Sequence, residues 1–235
     1  VKMLGGTSRQ AAREASAKAR SDPGCRPAIL EAVAQDGLSL LHASDALRND
    51  PEVVLTAVAQ NEYAIKYASK ALQEDRDFML KAAARKGRVL HFASERFLAD
   101  KEVVLAAVEQ DGHALQYASE ALKANRCIAL TAMHTDITAL EHAADRLRMD
   151  AAFMLEASEW KLQALAFAHI ELRHDRDFWL RVVANDGGAM EFAPKVIRTD
   201  PFFRLEADTL GNRFEKNTAL QEAVDSYERT QEIEL

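Results

Sequence analysis

The chain of 235 residues contains few cysteines and no long apolar run, and each absence excludes a class of protein. Only two cysteines are present, Cys25 and Cys127, which fit reduced thiols and not a disulfide framework. No apolar stretch approaches the roughly 20 residues that span a bilayer as a helix. The sequence also shows no secretory signal pattern. We therefore expect a soluble intracellular protein of the cytoplasm.

Basic residues are outnumbered by acidic ones, with 30 Lys and Arg against 37 Asp and Glu and a formal net charge of −7. A surface of that sign does not attract phosphate backbones, so we do not expect a nucleic-acid partner. Residues 7–20 are the local exception, because their Arg, Ser and Ala content resembles the tail of an organelle transit peptide. A basic surface helix is the alternative interpretation, and an organelle is the alternative location.

The sequence also lacks a recognisable catalytic constellation, having no Gly-rich phosphate loop and no G-x-S-x-G motif. His169 and His174 are five residues apart, whereas two metal ligands on one helix face are four apart. His42 and His142 stand where other parts of the chain carry Tyr or Phe, so we expect them to be packed. We expect no enzymatic activity, no cofactor and no bound metal.

What the chain does contain is a repeat of 25 residues without insertions, which a leucine marks in every copy. The leucines are Leu30, Leu55, Leu80, Leu105, Leu130, Leu155, Leu180 and Leu205. Five residues before each leucine stands Asp or Asn, except in the first copy, which has Cys25. Because Asp and Asn cap helix N-termini, and Pro51 and Pro201 follow directly, a helix is predicted to begin after each of these residues.

The second half of each repeat is predicted to form a second helix. Glycine separates the halves in four repeats, at Gly37, Gly87, Gly112 and Gly187, which we interpret as a left-handed C-terminal cap. Apolar residues then follow at spacings of three and four, as in Leu40, Ala43 and Leu47.

Such short helices are marginal in isolation, so neighbouring repeats must stabilise one another. The prediction is an all-α, right-handed-type α-solenoid of seven to eight two-helix repeats over residues 25–210. An N-terminal segment (residues 1–24) with a helix over 8–20, and a C-terminal segment (residues 211–235) with a helix over 217–231, are expected to cap its ends.

The repeat resembles a family of short tandem helical repeats known as a domain of unknown function, with the consensus D-x-E-V-V-L-x-A-V-x-Q-x-G-x-A-L-x-Y-A-S-x-x-L. The second and fourth repeats match best, from Asp50 to Ser69 and from Asp100 to Leu122. The resemblance spans about residues 25–200 and weakens in the last three repeats, where Ala144, His169 and Pro194 replace the Ser. It implies a helical fold and a tandem arrangement, and it brings no catalytic residues.

The sixth repeat departs most from the pattern, because Trp160 and Ile170 stand where other repeats carry polar residues and Leu162 stands where four repeats carry glycine. Phe202, beside Pro201, is a weaker candidate of the same kind. Exposed aromatic residues anchor interfaces, so we predict that these four residues bind a protein partner. The alternative is that the C-terminal helix covers them. Trp179, at a regular apolar position, is instead predicted to lie in the core.

These observations favour a non-catalytic protein-interaction or scaffold module. A peripheral structural subunit of a larger complex, such as an organellar one, is one alternative. The other is an RNA-binding repeat protein that reads bases with one variable position per repeat. That position carries Leu38, Tyr63, Arg88, His113, Thr138, Gln163 and Gly188.

Overall fold

The structure, a computed structural model, describes residues 17–209, and over this range it contains helices and no strand. The predicted helix over 217–231 and most of the one over 8–20 lie outside these residues, although residues 17–21 are helical. The chain divides into two compact units, with the boundary between Ala143 and Ala144. We number the repeats from one to eight, starting at residues 25, 50, 75, 100, 125, 150, 175 and 200.

Each complete repeat contains three helical segments, of which the first is an α-helix of 10 residues. These long helices are Arg26–Gln35, Pro51–Gln60, Arg76–Arg85, Lys101–Gln110, Arg126–Thr135, Ala151–Trp160 and Arg176–Asn185, and Pro201–Thr209 begins repeat eight. A 3₁₀ helix follows in each repeat: Gly37–His42, Glu62–Tyr67, Gly87–Phe92, Gly112–Tyr117, Ile137–His142, Leu162–Phe167 and Gly187–Phe192. A short α-helix ends each repeat: Asp45–Arg48, Lys70–Gln73, Glu95–Leu98, Glu120–Lys123, Asp145–Arg148, Ile170–Arg173 and Lys195–Thr199.

The prediction of one continuous second helix in each repeat is therefore wrong, because the second half of the repeat forms a 3₁₀ helix and a separate short α-helix. In repeat two the 3₁₀ helix ends at Tyr67, and Ala68 and Ser69 adopt extended backbone before the short helix begins. The extended conformation lets the Ser69 amide donate to the Arg48 carbonyl of the preceding repeat, at 2.9 Å. The Ser119 amide makes the equivalent bond to Leu98, at 2.8 Å. The second helix is interrupted in every complete repeat, and in repeats two, four and six the amide at the interruption hydrogen-bonds to the preceding repeat.

Repeat seven cannot make this bond, because Pro194 occupies the position of the donor and has no amide hydrogen. The carbonyl that would accept belongs to Arg173, and it instead receives the indole N–H of Trp179, at 2.9 Å. Trp179 is fully buried, as predicted, and contacts Phe178 at a ring-centroid distance of 5.6 Å. The indole N–H thus occupies an acceptor whose equivalents, the carbonyls of Arg48, Leu98 and Arg148, receive backbone amides.

The predicted N-terminal caps are confirmed. In repeat two, Asp50 Oδ1 accepts from the amides of Glu52 at 2.9 Å and Val53 at 3.3 Å, and Asp100 repeats this pattern. Cys25, the exception in the sequence pattern, makes no side-chain cap. A second set of side-chain caps begins the 3₁₀ helices at Asp36, Asn61, Asp111, Asp136 and Asp186.

The glycines do not form left-handed caps, and that interpretation is wrong. The residue that ends the first long helix is Asp36, with an extended backbone at φ −144°, and Gly37 begins the 3₁₀ helix. A Cβ atom at Gly37 or Gly87 would lie 2.3 Å from the carbonyl oxygen of Ala57 or Ala107 in the next repeat. Glycine is needed here because the backbones of successive repeats approach closely.

Packing between equivalent segments builds the core of each unit. In the first unit, the long helices of repeats one to five pack against one another in sequence, and so do their 3₁₀ helices. In the second unit, the long helices of repeats six, seven and eight pack in the same way. The buried side chains are mainly apolar, including Val53, Leu90, Leu115, Phe153 and Phe203. This packing supplies the stability that short helices lack alone.

Ion pairs follow a longer period of two repeats. Arg26 donates to Asp50 at 2.8 Å and also pairs with Glu52. Fifty residues later, Arg76 pairs with Asp100 at 2.6 Å and Glu102 at 2.7 Å. Hydrogen bonds from these arginines are the main reason that the pKa values of Asp50 and Asp100 are lowered. Arginine recurs at the same position in repeats five and seven, as Arg126 and Arg176.

Candidate functional site

The four residues predicted to bind a partner lie on four different helical segments of the second unit. Trp160 ends a long helix and its surface is 63% exposed. Ile170 begins a short helix and is 56% exposed, and Phe202, near the start of repeat eight, is 38% exposed. Leu162 is half-buried at the start of its 3₁₀ helix, beside Gly188. Their role in partner binding stays a prediction.

A second candidate surface, which includes the variable position Leu38, Tyr63, Arg88 and His113, lies on the first unit. The five 3₁₀ helices from Gly37–His42 to Ile137–His142 stand side by side, and we call their solvent-facing side the 3₁₀ face. Large apolar residues are exposed on it: Leu38 by 39%, Leu41 by 46% and Tyr63 by 49%. The 3₁₀ face therefore combines regular spacing with apolar surface in contact with solvent.

Rings at different positions of successive repeats contact each other across this face. Tyr63 contacts Phe92 of the next repeat at a centroid distance of 5.1 Å. His91 contacts Phe92 at 4.6 Å and Tyr117 of the following repeat at 5.1 Å. The ammonium group of Lys66 lies 4.5 Å from the centre of the Phe92 ring, within range of a cation–π interaction. The result is a continuous row of rings over repeats two to four.

A small cleft opens in this row. It has a volume of about 120 Å³ and is lined by Glu62, Tyr63, Arg88, His91, Phe92 and Tyr117. Its lining offers aromatic surface together with one carboxylate and one guanidinium group. Such a combination suits the recognition of a side chain that has both an apolar and a polar part.

Four polar side chains meet at the end of the row. The His113 ring lies 5.6 Å from the His142 ring of the next repeat, and their nearest nitrogens, Nδ1 of His113 and Nε2 of His142, are 3.4 Å apart. On its other side, His113 Nε2 lies 3.2 Å from Asp136 Oδ2 and 3.1 Å from Thr138 Oγ1. Burial, followed by the charge of His113, lowers the pKa of His142.

The other histidines considered as metal ligands or packed side chains, His42, His169 and His174, have local structural contacts. His42 is half-buried, as expected of a packed side chain, and accepts a hydrogen bond from Arg20 at 2.9 Å. Burial, followed by the charge of Arg20, lowers the pKa of His42. His169 accepts from the Glu171 amide at 3.3 Å, and His174 Nδ1 lies 2.8 Å from the Ile170 carbonyl. Cys25 and Cys127 are both free thiols.

Two broader properties of the described residues bear on function. No helix between residues 17 and 209 is both long and apolar enough to cross a membrane. Over the same range, no group of three or more His, Cys, Asp or Glu side chains is arranged to hold a metal ion.

The sequence carried a signal for the 3₁₀ face, although its meaning depended on the structure. Tyr63 and Phe92 are separated by 29 residues, as are His113 and His142. This spacing joins the variable position of one repeat to the aromatic position of the next. The spacings of three and four that define a helix face relate residues within one repeat. Contacts between repeats can be recognised only when the positions of the 3₁₀ helices are known.

Comparison with known proteins agrees with the repeat structure. A family model described as "Domain of unknown function (DUF4116)" matches residues 26–73 and again residues 75–123. The predicted resemblance to a tandem-repeat family of unknown function is thereby confirmed over these residues. Each match spans two 25-residue repeats, as do the Arg26 and Arg76 ion pairs. Searches of curated proteins and of solved structures gave no match.

Proposed function

We propose that this chain is a non-catalytic helical-repeat module that binds a protein partner, and that its repeats stack as a right-handed-type α-solenoid. The solenoid is supported by the packing of equivalent helices of successive repeats within each unit. It is also supported by the unbroken period of 25 residues in the sequence. Small-angle X-ray scattering tests the architecture, because a solenoid gives an elongated profile and a globular arrangement does not.

The cleft of the 3₁₀ face is the observation that carries the proposed function. Interfaces obtain most of their binding energy from a few residues, among which Tyr and Arg are frequent. Tyr63 and Arg88 both line the cleft, and Tyr63 is 49% exposed while its ring rests on Phe92. A partner side chain inserted there would desolvate aromatic surface that is already held in position, so little side-chain entropy would be lost on binding.

The proposed partner segment is an extended peptide that runs along the 3₁₀ face. Equivalent positions recur once per repeat, so a peptide that follows the row meets Tyr63, Arg88 and His113 in turn. Variation at this position would select the partner, while the buried positions maintain the fold. The surface that includes Trp160 and Ile170 is a second candidate for partner contact.

Affinity capture with a matched control tests this proposal. The full chain and its Tyr63→Ala/Arg88→Ala variant are immobilised, and captured proteins are identified by mass spectrometry. The control is Lys81→Ala, because Lys81 is exposed on a long helix away from the cleft lining. We expect the cleft variant to lose a specific partner that the wild type and the control retain. Equal capture by all three proteins would remove the cleft from the proposed interface.

One observation favours RNA as a second candidate partner. Lys66, Arg88 and His91 lie among the rings of Tyr63 and Phe92, and single-stranded nucleic acids bind where bases stack on aromatic rings beside cations. The net charge of −7 opposes this function. Binding of a labelled single-stranded RNA is measured at increasing salt concentrations. Tight binding that weakens steeply with salt would favour RNA over a protein partner.

A further inference from the structure

We propose that His113 and His142 bind a divalent transition-metal ion of the zinc type, at the junction of repeats four and five. The inference goes beyond the proposed partner binding and departs from the sequence expectation of no metal. It rests on the position of two imidazole nitrogens that belong to different repeats. Nδ1 of His113 and Nε2 of His142 are 3.4 Å apart, and they face each other across the 3₁₀ face.

The separation of these nitrogens fits two ligands of one ion. Zinc–nitrogen bonds of 2.0–2.1 Å at the tetrahedral angle place two ligating nitrogens about 3.3–3.4 Å apart. A hydrogen bond between the two rings is compatible with the same distance, with His142 Nε2 as donor and His113 Nδ1 as acceptor. The 3.4 Å separation also matches one edge of a zinc coordination tetrahedron.

Hydrogen bonds on the far side of His113 set the tautomer that a metal requires. The Thr138 hydroxyl donates to Asp136 Oδ1 at 2.7 Å, so its oxygen is an acceptor toward His113. His113 Nε2 therefore faces two acceptors, Thr138 Oγ1 at 3.1 Å and Asp136 Oδ2 at 3.2 Å, and holds the proton. In the neutral ring this leaves the lone pair on Nδ1, which points toward His142.

Asp136 thus occupies the position of an outer carboxylate behind a metal-binding imidazole. Such a carboxylate fixes the ring and increases the basicity of the ligating nitrogen. Burial lowers the pKa of His142, which favours the neutral form of the ring. Among the neighbouring charges, Glu141 favours a bound cation and Lys123 opposes it. The side chain of His113 is 37% exposed, so the ion has access from solvent.

The ligand set limits the class of ion. The two imidazoles suit zinc, copper and nickel, whereas magnesium and calcium require oxygen ligands. Water would complete the coordination sphere.

Two substitutions remove the ligands while preserving the ring contacts of the repeat. His142→Phe introduces the residue that repeat three carries at this position, Phe92, and His113→Tyr introduces the residue of repeat two, Tyr63. Because Tyr63 and Phe92 already contact each other at 5.1 Å, both variants keep an established packing arrangement. The Asp136→Asn variant tests the outer carboxylate. The control is His134→Ala, since His134 is exposed on the long helix Arg126–Thr135.

Titration calorimetry of the untagged full chain with zinc chloride at pH 7.5 measures the site. We expect one zinc ion per chain, at least a tenfold loss of affinity in His113→Tyr and in His142→Phe, and a loss of about 10–100-fold in Asp136→Asn. The affinity should also fall between pH 7.5 and 5.5, because protonated imidazoles cannot bind the ion. The control should bind zinc as the wild type does.

Imidazole nitrogen NMR provides a second readout that does not depend on affinity. Zinc should shift the resonances of His113 Nδ1 and His142 Nε2 in the wild type, and magnesium should shift neither. The proposal is overturned if the wild type takes up no zinc at millimolar concentration. It is equally overturned if His142→Phe binds zinc with unchanged affinity, because the ion would then lie elsewhere.

Discussion

Replacing Gly87 with alanine tests the close approach of repeats three and four. A Cβ atom at this position would lie 2.3 Å from the Ala107 carbonyl oxygen and 3.1 Å from the Asp111 Cβ atom. Carbon atoms pack best at about 3.5–4.0 Å, so the two repeats would have to separate by roughly 1 Å. The obstacle at 2.3 Å is backbone, which a side-chain rotation cannot remove.

The expected loss of stability follows from two opposing effects. Overpacking of a close contact costs about 1–3 kcal/mol. Loss of glycine's freedom in the unfolded chain stabilises the variant by about 0.4–1 kcal/mol. The overpacking term is larger, so we expect Gly87→Ala to lower the free energy of unfolding by about 1–2 kcal/mol, which urea denaturation followed by circular dichroism measures.

Gly188→Ala is the matched control for this substitution. Its Cβ atom would meet only side-chain atoms, Asp186 Oδ1 at 3.1 Å and Leu162 Cδ1 at 3.7 Å, and these can move. The control should therefore be neutral or slightly stabilising, by up to about 1 kcal/mol. Equal effects of the two substitutions, or a stabilising Gly87→Ala, would refute the packing role assigned to Gly87.

Three further predictions concern single residues. Asp100→Ala should lower the free energy of unfolding by about 1 kcal/mol through loss of the helix cap, whereas Asp100→Ser should keep the cap and lose only the pairing with Arg76. The pKa of Asp100 is lowered in the folded chain, so the pairing stabilises the fold above about pH 4 and this stability is lost as the pH falls through the folded pKa. The free energy of unfolding of Asp100→Ser, measured by urea denaturation, should therefore decrease less on acidification than that of the wild type. Trp179→Phe should lower stability by about 1–3 kcal/mol through the lost donor to Arg173, and Pro194→Ser should recover part of that loss in a double-mutant cycle; additive effects would contradict the shared carbonyl. Trp160→Ala should weaken partner capture and change thermal stability by no more than about 0.5 kcal/mol, and a larger loss would place Trp160 in the packing of the fold.

The sequence predicted the long helices well because their signals are local. Asp100 caps its own helix two and three residues later, and the 25-residue period places every such cap. The second half of the repeat was harder, because Leu40, Ala43 and Leu47 have the spacing of a helix face. A 3₁₀ helix followed by a short α-helix satisfies the same spacing, and the pattern does not reveal where the backbone bonds to another repeat. Gly87 was misinterpreted for the same reason, since its constraint lies in the next repeat.

The candidate sites likewise differ in whether the sequence of one repeat reveals them or whether they depend on contacts between repeats. The exposure of Trp160 and Ile170 follows from apolar residues at polar positions of one repeat, which a sequence shows directly. The contact between His113 and His142 depends on how neighbouring 3₁₀ helices are aligned. That alignment is set by backbone packing between repeats, so the spacing of 29 residues had no structural meaning until the helices were placed.

The bond from Trp179 to the Arg173 carbonyl gives the protein an optical probe. The chain has two tryptophans, of which Trp160 is 63% exposed and Trp179 is fully buried. In a Trp160→Phe variant, all tryptophan emission would come from the indole that holds repeats six and seven together. Its emission wavelength would report the opening of this one junction, whereas circular dichroism averages over every helix. Whether this junction opens before the rest of the helical structure thus becomes measurable without an added label.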